Sequence, residues 1–556
     1  MRDVGEILVE MGVIDHKVLE MAQIEAKTTS MSLEDVLVLG FFVPESALVK
    51  ATALAIGIPH VDLEQEGVEA ELVKKFGLQD VSRFINWGAV PVRMEGSKVR
   101  VAVARPSLDV RIQIEKFMRK MGFEVEFVVA PRSQIERFIN DFFTTGAHEA
   151  VIDRYLQEAL LQEKQGVPVN TAVPMLLDAL LTEAVFSRAT DMHLVCESFS
   201  VREFLRIDGV LRYIRSIPQK LWFRISSAVK QRAGMDPGDR VHVQDGHFVF
   251  SPASGLRTVN IRVSSIPTAD EGESIVMRIL DEGRISFRLP ALGFYEKDLE
   301  KVYRILERPH GLILVTGPTG SGKTTTLYAI IQHLKPYERS TLTIEDPVEY
   351  HLPFVRQVQV NRKAGRIPAS ILRAFLRHDP DVILVGEIRD RETADIAMQA
   401  AETGHLVLST LHTNDAPSAV IRLKDMGIDP ISIASTLRLV VAQRLVRVLC
   451  PHCKTTRPIT DWERRYVLES GLEPPAVVPQ ESGCRLCSYQ GYVGRTVVYE
   501  LVLMEESDYE RLRAAKTTAD VVEIAESKGY EPMRRCGLRK VFEGLTTVKE
   551  VMRVCG

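Results

Sequence analysis

At 556 residues the chain has room for three or four domains, and its 45% hydrophobic and 26% charged content is ordinary for a folded protein. A net charge of −4 gives no global field favouring nucleic acid. No uncharged apolar run reaches the ~18 residues that a membrane span needs, and the carboxylates within Met1–Glu10 interrupt the apolar core a signal peptide requires. A cytoplasmic location is therefore expected. Seven cysteines are present, and four of them form two CxxC pairs, which in a reducing compartment points to metal rather than disulfides.

Residues 1–60 hold a weak internal repeat. Gly5-Glu-Ile-Leu-Val-Glu-Met-Gly-Val-Ile-Asp15 is echoed by Leu33-Glu-Asp-Val-Leu-Val-Leu-Gly-Phe-Phe-Val43. Each copy reads as a short helix stopped at Gly12 or Gly40, followed by a second helix, so a small helical bundle is expected. Residues 61–145 read as a small α/β domain, with a strand pair turning at Glu95-Gly-Ser-Lys98, a helix near Val110–Met121 and a strand at Phe123–Val129. A linker is expected over 146–170. The α/β domain at 171–287 should open with a helix over Ala172–Ser187 and contain a hairpin turning at Asp208-Gly209.

The apolar run Gly311-Leu-Ile-Leu-Val-Thr316 leads into Gly317-Pro-Thr-Gly-Ser-Gly-Lys-Thr324, and Thr325-Thr-Leu-Tyr-Ala-Ile-Ile331 follows. Strand, glycine-rich turn and helix are the context of a phosphate-binding P-loop. Gly317, Gly320 and Gly322 let backbone N–H groups converge on one anion, with Pro318, Thr319, Ser321 and Thr325 completing the loop. Lys323 is positioned for the β- and γ-phosphates and the Thr324 hydroxyl for Mg²⁺. A nucleoside triphosphate is the expected ligand.

Strands and helices alternate from about 288 to 445, as a parallel sheet requires. One strand ends in Glu345-Asp346 and another in Gly386-Glu387, where a usual metal-binding strand ends in Asp-Glu. Glu387 is thus the candidate to activate water, with Glu345 and Asp346 supplying carboxylate on the metal side. His405 and His412 flank a third strand and are candidate γ-phosphate sensors. Farther on, Cys450, Cys453, Cys484 and Cys487 form CxxC-x30-CxxC, a tetrahedral thiolate set suited to Zn²⁺.

The segments GPTGSGKT, TIEDPVEY, VGEIRD and TGHLVLSTLHTND resemble, in family order, the Walker A, Asp, Walker B and His boxes of the type II secretion and type IV pilus assembly ATPases. The Gly386-Glu387 variant is itself the family's pattern, and the resemblance covers nearly the whole chain. It implies a RecA-like P-loop ATPase core at 288–445, a PAS-like α/β domain before it, a zinc-binding tetracysteine module at 446–498 and a closing helical segment at 499–556. It further implies ATP and Mg²⁺ as cofactors, a homo-hexameric ring, and attachment to the inner membrane through a platform protein and the cytoplasmic domain of an anchor protein. Arg262 and Arg278 stand where the family's arginines reach the nucleotide phosphates from the preceding domain.

Two local matches are weaker. Thr190-Asp-Met-His-Leu-Val-Cys196 and Gln244-Asp-Gly-His247 depart from the family forms S-D-I-H-I-E-P and Q-D-G-R. The bundle at 1–60 resembles an N-terminal domain that binds cyclic di-GMP in some members. Asp3 replaces the binders' Arg, and Ala26 and Ala55 replace their Gln residues, so a docking bundle is expected instead of a cyclic di-GMP site. A scaffold without turnover and a DNA-translocating motor are the alternatives. The second would need a basic stretch, and the densest is Arg534, Arg535, Arg539 and Lys540. No nucleic-acid partner is expected.

Overall fold

In a computed structural model of the chain, residues 3–29, 31–41, 43–66, 83–84, 87–135, 138, 147–165, 171–252, 258–269, 272–281, 287–484, 487 and 489–556 are described. The end of the expected linker, Gly166–Asn170, lies outside them. The chain divides into two compact units, Met1–Arg284 and Ile285–Gly556.

The first unit opens with four helices, α1 (Val4–Glu10), α2 (His16–Thr29), α3 (Leu33–Leu39) and α4 (Glu45–Ile56). They enclose Ile7, Leu8, Ala22, Val36, Leu37 and Ala51. The two repeat glycines act differently. Gly12 takes a left-handed φ of 67°, whereas Gly40 stays right-handed and is required because a Cβ there would lie 2.8 Å from the Val36 carbonyl oxygen. Asp3 caps α1, accepting from the Gly5 N–H at 2.7 Å. A small sheet follows, in which β1 (Ala89–Glu95) pairs antiparallel with β2 (Lys98–Val103), and β2 pairs parallel with β3 (Glu124–Val129) after the crossover helix α5 (Leu108–Lys120).

After α6 (Ala147–Lys164) and α7 (Ala172–Phe186) comes a six-stranded antiparallel sheet. Its strands are β4 (Ala189–Cys196), β5 (Ser200–Ile207), β6 (Val210–Pro218), β7 (Gln244–Phe250), β8 (Val259–Pro267) and β9 (Glu273–Leu280), in the order β6-β5-β4-β9-β8-β7. Asp208 and Gly209 turn the β5–β6 hairpin with φ of 49° and 84°, the positive values a two-residue turn of this kind needs. The strands alternate, with Met192, Leu194, Val201, Leu205, Ile261, Val263, Ile275 and Met277 facing a core shared with α7 and α8 (Trp222–Arg232). Within that core the buried ammonium of Lys230 pairs with the buried carboxylate of Glu273.

The second unit is a P-loop nucleotide-binding α/β fold. Its sheet runs β12-β11-β13-β14-β10-β15-β18, parallel from β12 to β15 with β18 antiparallel at the edge. These strands are β10 (Gly311–Thr316), β11 (Thr341–Glu345), β12 (Val355–Gln359), β13 (Val382–Val385), β14 (Leu406–Leu411), β15 (Leu437–Leu449) and β18 (Tyr492–Leu503). β10, β11, β13 and β14 are buried along their whole length, the mark of a sheet covered on both faces. Around them lie α9 (Glu296–Leu306), α10 (Lys323–His333), α11 (Pro368–Phe375), α12 (Arg391–Glu402), α13 (Ala416–Asp425) and α14 (Pro430–Thr436).

Between β15 and β18 the chain makes an excursion containing β16 (Thr455–Pro458), α15 (Asp461–Glu469) and β17 (Val477–Gln480). After β18 come α16 (Tyr509–Ala514), α17 (Thr518–Glu526), α18 (Met533–Phe542) and α19 (Val548–Cys555). Tyr466, Val467 and Val478 of the excursion pack on Leu538, Val541, Val548 and Val551 of the last two helices.

Candidate functional site

The parallel strands of the second unit all point their C-terminal ends the same way, and there the motif residues gather. The loop after β10 carries Gly317, Gly320 and Gly322 with φ of 138°, 77° and 88°. A Cβ at Gly317 would lie 2.4 Å from the Gln443 carbonyl oxygen, so the loop closes only on glycine. Gly322 caps α10, leaving that helix's N-terminal N–H groups and its dipole directed into the loop. The Lys323 ammonium donates to the carbonyls of Gly317 at 2.8 Å and Pro318 at 3.1 Å. Burial lowers its pKa while the Glu387 carboxylate opposes the shift, so these two groups share one electrostatic neighbourhood.

Glu387 follows β13 and is held on two sides. Arg389 Nη2 lies 2.5 Å from Oε1, and His412 Nε2 lies 3.2 Å from Oε2. The Arg389 pKa is raised by its hydrogen bond to Glu387. A carboxylate placed by two partners beside a P-loop can accept a proton from a water on the γ-phosphate side. Thr324, Glu345, Asp346, Gly386, Glu387 and Thr410 line one cavity of about 250 Å³. Its oxygen donors have the hard character that Mg²⁺ prefers.

Not every candidate carboxylate is equivalent. Glu345 is 5% exposed, and it accepts from the Thr343 hydroxyl at 2.6 Å, the Gln357 amide at 3.0 Å and the Tyr328 hydroxyl. Both its oxygens are engaged, whereas Asp346 is exposed. Gly386 also has a structural reason. A Cβ there would lie 2.9 Å from the Ile344 carbonyl oxygen, so the approach of β13 to β11 leaves no room for the Asp of a usual metal-binding strand.

The two histidines part company. His412 follows the C-terminal end of β14 and reaches Glu387, but His405 precedes the N-terminal end of the same strand. Six residues of strand separate them, roughly 20 Å. There His405 Nδ1 bonds the Ala400 carbonyl at 2.9 Å and fixes the turn into the strand. The expectation that His405 senses γ-phosphate is corrected accordingly.

Two residues in the site are not singled out by the motifs. Arg389 lies inside VGEIRD but has no role until its contact with Glu387 is seen. Gln443 of β15, 1% exposed, donates to the Ser321 carbonyl at 2.8 Å and accepts from the Thr326 hydroxyl at 2.8 Å. It buttresses the P-loop from the neighbouring strand, and no sequence spacing signals that.

In the first unit, Arg262 and Arg278 are register partners on β8 and β9. The Arg278 Nε donates to Asp191 Oδ1 at 3.1 Å.

The four cysteines of the two pairs come together. Sγ–Sγ distances are 3.8 Å for Cys450–Cys484, 3.7 Å for Cys453–Cys487 and 3.8 Å for Cys484–Cys487, with all four atoms within 4.8 Å of one another. Backbone N–H groups of Gly483, Cys484 and Gly491 donate to Cys453 and Cys487 at 3.1–3.2 Å. Burial opposes ionisation of Cys487, but those donors and the neighbouring thiols outweigh it and bring its pKa down to about 7. Donor set, spacing and N–H···S bonds all fit a tetrahedral Zn²⁺.

The basic cluster on α18 faces carboxylates and a carbonyl within the chain. Arg534 pairs with Glu469 at 3.3 Å, Arg539 with Glu531 at 3.0 Å, and Arg535 lies 3.9 Å from the same Glu531. Lys540 is buried and donates to the Gly293 carbonyl at 2.6 Å. These charges do not form an open stripe for a phosphate backbone.

A family model described as type II/IV secretion system protein matches residues 169–553, and an MshEN domain model matches residues 56–149, the segment following the helical repeat. A type IV pilus assembly ATPase of Myxococcus xanthus is 35% identical over 99% of this chain and 98% of its own length. A type II secretion system protein E of Aeromonas hydrophila is 44% identical over 72% of this chain and 79% of its own. In fold, the ATPase DotB of Legionella pneumophila matches with a TM-score of 0.50 at 22% identity, covering 68% of this chain and 95% of that one.

Proposed function

Because the chain belongs to the type II/IV secretion system protein family, we propose that it hydrolyses ATP to drive assembly of a pilus or a secretion pseudopilus. The observation that carries this reading is the convergence of the P-loop, Glu387 and His412 at one end of the parallel sheet.

Lys323 and the P-loop N–H groups hold the β- and γ-phosphates. Mg²⁺, when bound, neutralises charge on the phosphate oxygens, and the Thr324 hydroxyl and Asp346 are the groups that would hold it, with Glu345 orienting the end of β11 from its internal network. Glu387 takes the proton from the attacking water. Arg389 and His412 fix the carboxylate so that little reorganisation is needed. Arg262 and Arg278 meet charge developing on the γ-phosphoryl oxygens.

Cys450, Cys453, Cys484 and Cys487 hold a structural Zn²⁺ that clamps the start and end of the excursion between β15 and β18. The working assembly is a homo-hexamer, and the ring passes the motion that hydrolysis drives to an inner-membrane platform protein. No described helix is long and apolar enough to cross a membrane. Attachment to the inner membrane runs through a platform protein and an anchor protein's cytoplasmic domain, with the α1–α4 bundle as the dock.

Steady-state ATP hydrolysis by the purified chain beside Glu387→Gln, with the size of each in solution, tests the reading. Glu387→Gln is expected to bind ATP and lose turnover by at least ~10²-fold. Retained turnover removes Glu387 from its role. ATP binding without turnover by an assembled wild-type ring would instead favour the scaffold.

A further inference from the structure

The face of the six-stranded sheet that points away from α7 and α8 carries a charged row. Backbone register aligns Arg206 of β5 with Asp191 of β4, Asp191 with Arg278 of β9, Arg278 with Arg262 of β8, and Arg262 with His247 of β7. Neighbouring strands are ~4.8 Å apart, so same-face side chains in such a row are within reach of one another. The row holds three guanidinium groups and one carboxylate.

The carboxylate is the unusual member. Asp191 is only 6% exposed, whereas the Arg278 side chain beside it is 57% exposed. Its Oδ1 accepts from Arg278 Nε at 3.1 Å, while Oδ2 accepts from the Thr190 hydroxyl at 2.8 Å and lies 3.6 Å from Arg206 Nε. The identity of the nitrogen matters. A guanidinium bound through Nε keeps both terminal nitrogens for a bidentate oxyanion, and its plane is fixed by the bond.

His193, one step along the same face, points the same way. Burial lowers its pKa first, Asp191 opposes, and Arg206 and Arg278 lower it further.

We propose that Asp191 is a positioning residue that fixes the Arg278 guanidinium for a phosphate oxyanion. The inference rests on the reading that Arg278 meets the γ-phosphate. Asp191 touches no reacting atom and acts through Arg278.

A double-mutant cycle on the full-length chain tests it, with ATP turnover measured for Asp191→Ala, Arg278→Ala and the pair, and thermal midpoints alongside. Asp191→Ala should lower kcat by about tenfold with KM for ATP within about twofold. The double variant should be no slower than Arg278→Ala, because the carboxylate has nothing left to orient. Asp191→Asn, whose side-chain oxygen still accepts from Nε, should recover most of the loss. Losses that multiply in the double variant overturn the proposal alone, as does wild-type turnover by Asp191→Ala. Wild-type turnover by Arg278→Ala overturns the reading of Arg278, and the proposal with it.

Discussion

Replacing Cys484 by serine removes one corner of the four-sulfur cluster, and the structure sets the size of the effect. A Zn–S bond of about 2.3 Å in a regular tetrahedron places sulfurs about 3.8 Å apart, against about 2.05 Å in a disulfide. Three of the six separations are 3.7–3.8 Å and all four sulfurs lie within 4.8 Å of one another, so the cage has the size a tetrahedral zinc needs. The ligand pairs close an excursion of 30 residues, 454–483. Chain-closure entropy for a loop of that length is worth about 4 kcal/mol. This is an upper limit, because Leu449 and Tyr492 already pair across the neck and α15 packs on α18 and α19.

The wild-type chain is expected to carry close to one zinc per chain by elemental analysis, and Cys484→Ser less than about a tenth of that. In a thermal melt the transition of the second unit should fall by up to roughly 10 °C. Exhaustive chelation should expose four additional thiols to a thiol reagent. Wild type purified with zinc in the medium but holding none would refute the reasoning, as would Cys484→Ser with full metal and an unchanged melt.

Two further outcomes follow from the same geometry. The Glu550 side chain is 1% exposed, and although burial opposes its charge, hydrogen bonds from Arg553 and Arg447 hold its pKa down to about 2 from an ordinary 4.5. A lowered folded-state value stabilises above the unfolded pKa and is lost as pH falls, so about 3 kcal/mol present at pH 7 should disappear between pH 4.5 and 2. Denaturation midpoints of wild type and Glu550→Gln should therefore differ at neutral pH and converge in acid, and a gap that stays constant would contradict the assignment. Gln443→Ala leaves the buried Thr326 hydroxyl and Ser321 carbonyl without their partner and should lower kcat/KM for ATP by roughly tenfold, with the melt falling by a few degrees. A value within twofold of wild type would mean that the P-loop does not need the buttress.

What the sequence discloses depends on how local the physical demand is. The P-loop is legible because three positive-φ glycines and the start of a helix lie within eight residues. The cysteine cluster is legible because each CxxC pair is a local knuckle and the two knuckles need only meet. Asp191 and Gln443 are not legible in that way. Asp191 meets Arg278 from 87 residues away and Gln443 meets Thr326 from 117, so each role arises from strand register, which sequence spacing does not contain.

The two histidines and Gly386 carry the point further, because there the motif text itself is ambiguous. His405 and His412 flank one apolar strand symmetrically on paper, yet a strand in a parallel sheet has one functional end. Only the residue leaving β14 shares the edge where β10 and β13 deliver Thr316 and Val385. Gly386 on paper is a missing aspartate. In the fold, the Gly386 N–H donates to the Ile344 carbonyl at 2.8 Å, and that close approach excludes any side chain. The acidic function then has two remaining outlets at the same edge, Asp346 from the strand beside it and Glu387 one residue on. The departure from the usual metal-binding strand is thus a consequence of how tightly β13 ends against β11. A carboxylate restored at 386 would displace the backbone that holds Glu387 between Arg389 and His412.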